Sequence, residues 1–298
     1  MDKQTLSNYG WIVISVLVLV VMIALATPFA RFVFNGTDGA SNGLYDTENN
    51  ALNAVGINIE AVEVRSESEL FAALTKQQKI IRLGADIGLH DTIVASYDFT
   101  LDLNGHVLQQ TVSNKGIIEV ESGITLNIID KYTEAYRHTF KEIDNHFVLD
   151  DSGTIALYAG VISGANGDVA PILVRGTIIV DNLTIAGNYC SENGGVFAIM
   201  GGGNVVLNST TITNNTTDKN GGIVRLSANT TLEMNGGFFT ANKAKSGSAI
   251  YLNGGTFSMN GGRIEGNIAD DNSGIYIESG VIMQNAGSIG DKIVDNRK

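Results

Sequence analysis

Five side chains share one turn position of a repeated sequence and have the functional groups for chemistry. They are Glu192, Asp218, Lys245, Asp270 and Asp271. Strands stacked into a sheet would bring adjacent members about 5–10 Å apart, the range spanned by glycosidase carboxylate pairs. The same oxygens are the hard ligands that calcium takes. Lys245 interrupts the column, and no Arg or His accompanies it to complete a mechanism. No catalytic residue is therefore assigned. Glu192, Asp218, Asp270 and Asp271 stand as candidate calcium ligands, against the simpler reading of a solvated acidic loop.

A second column is aromatic and basic. Phe197, Val224, Ile250 and Ile275 recur at one apolar position, and the residues after them are Ala198, Arg225, Tyr251 and Tyr276. Side chains alternate along a strand, so these successors point outward. Two tyrosines beside an arginine form a rigid strip of types favoured at binding hot spots, and aromatic faces suit sugar rings. Arg225, Tyr251 and Tyr276 are the candidate binding residues. The competing reading is that tyrosine is simply a good strand residue.

The remaining reactive types are sparse. Of the four histidines, His90, His106, His138 and His146, the last two share a charged, aromatic stretch with Tyr132, Tyr136, Arg137, Glu142 and Asp144. Their spacing of eight matches no familiar metal signature. Cys190 is the single cysteine, so neither an intrachain disulfide nor a zinc cluster can form from cysteine. The sequence contains no G-x-S-x-G, no P-loop and no H-E-x-x-H. A net charge of −12 disfavours nucleic acid and anionic lipid headgroups, since phosphate binding needs a basic face.

The elements that must position these columns are the repeats. Ile185, Ile212, Phe239, Ile264 and Ile289 mark one apolar column at intervals of 25–27 residues. Asp181, Asn208, Asn235, Asn260 and Asn285 precede it by four residues, and Asn188, Asn215, Asn242 and Asn267 follow it. A fixed period of this length signals a solenoid. The short alternating runs, such as Ile-Tyr-Leu at 250–252, and the Gly/Asn punctuation select strands over helices. We expect an all-β chain wound as a parallel β-helix, with three short strands per turn and Asn side chains stacked amide to amide. The spacing of Leu103-Asn104 before Leu108 matches that of Leu207-Asn208 before Ile212, so the coil begins well before the obvious repeats.

Reading from the N-terminus, residues 1–34 carry WIVISVLVLVVMIALATPFA at 11–30, an uncharged run long enough to cross a bilayer as one transmembrane helix. Lys3 before it and Arg31 after it suit an uncleaved anchor. Ala24-Leu25-Ala26 leaves open a cleaved signal peptide, and with it secretion. Either way the bulk of the chain is expected outside the cell, at the cell membrane or beyond it. Residues 35–60 read as a spacer. Over 61–290 we expect the β-helix, opened by a capping helix with Ser66 at its N-cap and Glu67 and Glu69 in its first turn. Leu70, Phe71, Ala73 and Leu74 would form its buried face. Residues 131–150 read as an insert with the solenoid resuming after it, and residues 291–298 as a polar tail.

Three segments, LDLNGHVL, GGTFSMNGGRIEGN and NSGIYIESG, resemble the pectate-lyase-like β-helix surface proteins of bacteria. The alternation of I-x-x-N turns with Gly-Gly-aliphatic strands also resembles the repeats of polymorphic membrane proteins and related adhesins. This resemblance spans roughly residues 61–290 and implies a right-handed coil. It does not select a function, because that fold carries lyases, hydrolases, adhesins and scaffolds. The expected function is an adhesin-like or structural scaffold, membrane-tethered or secreted, that binds glycans or surface-protein partners. The alternatives are a polysaccharide lyase or glycoside hydrolase, and a pilus-like assembly subunit. Apart from calcium, no cofactor is expected.

Overall fold

Strict alternation dictates the architecture. In Thr177–Asp181 the side chains of Ile178 and Val180 are buried, while those between and beside them are not. The next coil stacks Val205 and Leu207 on them, with the outward Val206 buried as well. A strand buried on one side only must stack its apolar residues on like residues above and below, and parallel in-register pairing does so. The computed structural model describes residues 60–131 and 136–297. These form a parallel β-solenoid of about 7 turns. The apolar run at 11–30, the spacer apart from Glu60, and Tyr132 of the insert lie outside the described residues. Among the described residues no helix is long and apolar enough to cross a membrane.

The strands form four ladders. The third is an eight-stranded sheet from Ile87–Leu89 to Ser288–Ile289. Its inward column is Ile87, Leu108, Ile162, Ile185, Ile212, Phe239, Ile264 and Ile289, in register throughout. The first ladder stacks Ile93, Ile118, Ile172, Phe197, Val224, Ile250 and Ile275. The second contains Ile178, Val205, Leu232 and Phe257. First and second ladders merge into a 15-stranded sheet, because the strands Ile250–Met259 and Ile275–Gln284 run round the corner between them. Each fully buried aliphatic side chain contributes about 1.5–3 kcal/mol, so these columns supply the main stabilisation.

A fourth ladder consists of two-residue strands, Asn166–Gly167, Tyr189–Cys190, Thr216–Thr217, Lys243–Ala244 and Ile268–Ala269, of which the last four directly follow Asn188, Asn215, Asn242 and Asn267. Most turns thus carry four strands, not the expected three; two residues are too short a run to register as alternation. Each asparagine follows a residue of positive φ, namely Gly187, Asn214, Ala241 or Gly266. There the chain bends by one left-handed residue. Ala241, with φ 56°, is the costly member, since a Cβ in this region adds about 1–2 kcal/mol. Ala241→Gly should therefore stabilise the protein by about 1 kcal/mol after the extra unfolded-state entropy of glycine is subtracted. A urea midpoint unchanged or lowered would contradict this.

The asparagines form two hydrogen-bonded ladders. In the buried one, Asn188 Nδ2 donates to Asn215 Oδ1 (2.9 Å), Asn215 to Asn242 (3.0 Å) and Asn242 to Asn267 (2.9 Å). The last amide donates to Asp291 Oδ2 at 2.7 Å, so a carboxylate, which accepts only, ends the series. The partly exposed one runs from Asn285 through Asn260 and Asn235 to Asn208.

At the N-terminal end, Val62–Val64 pairs in parallel with Ile81, Arg82 and Leu83, and helix α1 (Glu67–Thr75) follows. Ser66 caps it by accepting from the Glu69 amide, and Leu70, Ala73 and Leu74 are buried in the solenoid core, as expected of a cap. Glu67 also reaches out of the helix to accept from the His90 and Asp91 amides. At the other end the tail differs from expectation. Ile293–Asp295 is a strand paired with Ile275, Tyr276 and Ile277, so residues 291–295 add a further rung.

The insert also differs. It is a three-stranded antiparallel sheet of Arg137–Ile143, His146–Leu149 and Ile155–Tyr158, and so runs beyond residue 150. The apolar run at 155–158 resembles a solenoid strand in sequence, but it pairs with Arg137–Phe140. The sheet lies over the outer face of the third ladder. Phe140 and Phe147 cover Val107, Val161 and Ala186 in an apolar cluster separate from the solenoid core.

Candidate functional site

The first ladder fixes the aromatic strip. Arg225 pairs with Tyr251, Tyr251 with Tyr276, and Tyr276 with Val294. Because Val224, Ile250 and Ile275 point inward, their successors face out. The expected juxtaposition of Arg225, Tyr251 and Tyr276 is therefore present.

The tyrosine rings stack with centroids 5.0 Å apart and planes 5° from parallel. The Arg225 guanidinium covers the Tyr251 ring at 5.9 Å. Stacking along the solenoid axis turns the ring faces toward each other and toward Arg225. What the strip offers a ligand is ring edges, hydroxyls and a guanidinium that forms no ion pair among the described residues. Strand spacing near 4.8 Å dictates this, since flat rings at successive rungs fit only face to face.

Glu278 binds the strip at its edge. Its Oε2 accepts from the Tyr251 hydroxyl at 3.1 Å and from Asn253 Nδ2 at 2.6 Å. Partial burial, then the hydrogen bond and charge of Glu278, push the Tyr251 hydroxyl up to about 12. It therefore remains a neutral donor across the physiological range. Beyond Ala198 on the same face, Arg175 and Glu119 form an ion pair.

The acid-lined turn is already occupied by its own neighbours. Glu192 pairs with Lys219. Asp218 accepts from the Tyr189 hydroxyl at 2.7 Å, an interaction that raises the phenol to about 12. Asp271 accepts from the Ser273 amide at 2.9 Å, closing an Asx turn. Asp270 is exposed in the same turn. Among the described residues no group of three or more His, Cys, Asp or Glu side chains forms a metal-binding arrangement. Cys190 is buried in the fourth ladder, and burial pushes its thiol up, away from the reactive thiolate.

Protein-family models, curated proteins and solved structures give no match to this chain. The site must be judged on its own geometry.

One constellation has no counterpart among the repeat columns. His106 and His138 converge on Asp86, with ring nitrogens 3.3 and 3.6 Å from its two oxygens. Tyr136 packs on both imidazoles. Asp86 lies in the corner before the first strand of the third ladder and His138 in the insert. No spacing rule connects them, and only the docking of the insert reveals the pair.

Proposed function

We propose that the chain is a surface β-helix of the right-handed, pectate-lyase-like type, tethered through residues 11–30 or secreted after their removal. It acts as a binding scaffold for glycans or surface-protein partners rather than as an enzyme. The observation that carries this reading is the Arg225–Tyr251–Tyr276 strip. Parallel pairing holds it rigid, so a ligand would meet pre-ordered side chains at little entropic cost. The flanking Asn253–Glu278 pair supplies polar groups at its rim. Recognition would run through ring edges, hydroxyls and the guanidinium, a mode suited to a polar, hydroxyl-rich partner.

The test is a glycan and surface-protein array probed with the full chain, followed by the Tyr251→Ala, Tyr276→Ala double variant. A hit should weaken by at least about tenfold in the variant, as for a hot-spot pair. Binding retained by the double variant discards the strip, and an array without any hit removes the scaffold reading in this form.

A further inference from the structure

We propose that residues 137–158 form a pH-sensitive lid on the third ladder, latched by a doubly protonated His138 held between the Asp86 carboxylate and the Gly105 carbonyl. Hydrogen bonding and charge together set the protonation state of His138. His138 Nε2 lies 2.6 Å from the Gly105 carbonyl oxygen, and its Nδ1 lies 3.6 Å from Asp86 Oδ2. Neither oxygen can donate a proton. A neutral imidazole has one N–H and one lone pair, so it would satisfy one side and turn the lone pair on the other. Only the imidazolium suits both. Its side chain is 3% exposed, so water cannot substitute for the lost contact.

The surroundings favour the cation. Burial alone would lower the His138 pKa, but the ion-pair contact with Asp86, the hydrogen bond to Gly105 and the charge of Asp130 outweigh it and raise it. The groups around the ring are Asp86 from the corner before the third ladder, Asp130 from the end of a second-ladder strand, His106 through its shared contact with Asp86, and Tyr136 against the ring face. Asp86 moves the opposite way. Burial would raise it, yet the His138 ring beside it, the hydrogen bond from the Val107 amide and the charge of His106 lower it.

The lid is built to come away as a unit. Its apolar cluster of Phe140, Phe147, Val107, Val161 and Ala186 is separate from the solenoid core, so lifting it leaves the coils intact. Its other hydrogen bonds to the solenoid among the described residues are neutral: Gln109 Nε2 to the Phe147 carbonyl at 2.9 Å, the Leu149 amide to Gln109 Oε1 at 3.3 Å, and the Phe147 amide to the Gly187 carbonyl at 2.8 Å. The Lys141–Asp150 ion pair is internal to the lid. At its rim His146 Nδ1 is buried without a partner among the described residues, beside a cavity of about 120 Å³ lined in part by Gln109, Gln110 and Asn166. This region is the least well satisfied part of the interface.

The sign follows from the two directions. A raised histidine stabilises the closed lid fully below its unfolded value near 6.5, and this is lost as pH rises through the higher folded value. A lowered carboxylate holds above about 3.8 and is lost as pH falls through its lower folded value. The latch is thus closed in mildly acidic solution and released by alkali.

Hydrogen exchange of the full chain from about pH 6 to about pH 9, corrected for intrinsic exchange, tests this directly. Protection of amides 137–158 should fall by up to about tenfold per pH unit above the His138 pKa, while amides 204–234 keep theirs. A lid whose protection tracks the solenoid's across that range overturns the proposal. In His138→Gln the lid should exchange faster at pH 6 and lose its pH dependence; dependence that persists overturns it as well. Should that variant not fold, the wild-type series decides alone, together with NMR titration of the His138 ring. A ring already neutral at pH 6 defeats the latch.

Discussion

Asn215→Ala is expected to lower the unfolding free energy by about 3–5 kcal/mol, read from urea denaturation. Asn215 is completely buried in the middle of its ladder. It donates to Asn242 Oδ1, Ile185 O and Thr213 O, and it accepts from the Asn188 amide and Asn188 Nδ2. Alanine leaves both Asn188 donors facing a void, and each stranded buried group costs about 1–3 kcal/mol. Asn235→Ala provides the internal control. Asn235 makes the same amide-to-amide bonds up and down its ladder, without the side-chain bonds to backbone that Asn215 has, and is partly exposed, so water replaces the lost bonds and about 1 kcal/mol or less is expected. Equal losses at the two positions would refute burial as the cause.

Phe239→Ala should cost about 3–5 kcal/mol, whereas Phe238→Ala should fall within about 0.5 kcal/mol of wild type. The two residues are adjacent in one strand, Gly237–Thr240. Phe239 is 0% exposed and stacks between Ile212 and Ile264; Phe238 is 52% exposed on the outer face. Only the inward ring leaves a cavity when truncated. A coil shifted by one residue would exchange the two roles, so this pair of variants also verifies the register. Comparable losses for both would mean the register is wrong.

Both experiments probe what repetition made readable. An apolar residue at Ile185, Ile212, Phe239 and Ile264 meets its like one coil away, so the column in the sequence is the column in the core. The asparagines obey the same rule, since an amide donating upward and accepting downward is satisfied by a copy of itself. The cap was readable for a local reason: Ser66 accepts from the Glu69 amide and Glu69 from the Arg65 amide, all within a few residues. The strip was readable as far as its outward direction, because strand alternation requires it.

What escaped the sequence depends on contacts without a repeat. Whether Ile155–Tyr158 joins the coil or the insert turns on its partner, and Arg137–Phe140 competes for it with the same backbone groups. The Asp291 terminator of the asparagine ladder belongs to a stretch that reads as polar tail. The Tyr251 and Tyr276 ring faces are turned on each other by stacking, a consequence of rung spacing rather than residue type. The Asp86–His138–Gly105 latch joins residues far apart in the chain and is made by the docking of the antiparallel sheet. Sequence alone determined the parallel coil, its inward columns and its helical cap, because each coil gives its neighbour the environment it needs. The tertiary structure alone decided how the unrepeated segments pack on that coil, because their partners are set by distance in space and not by period.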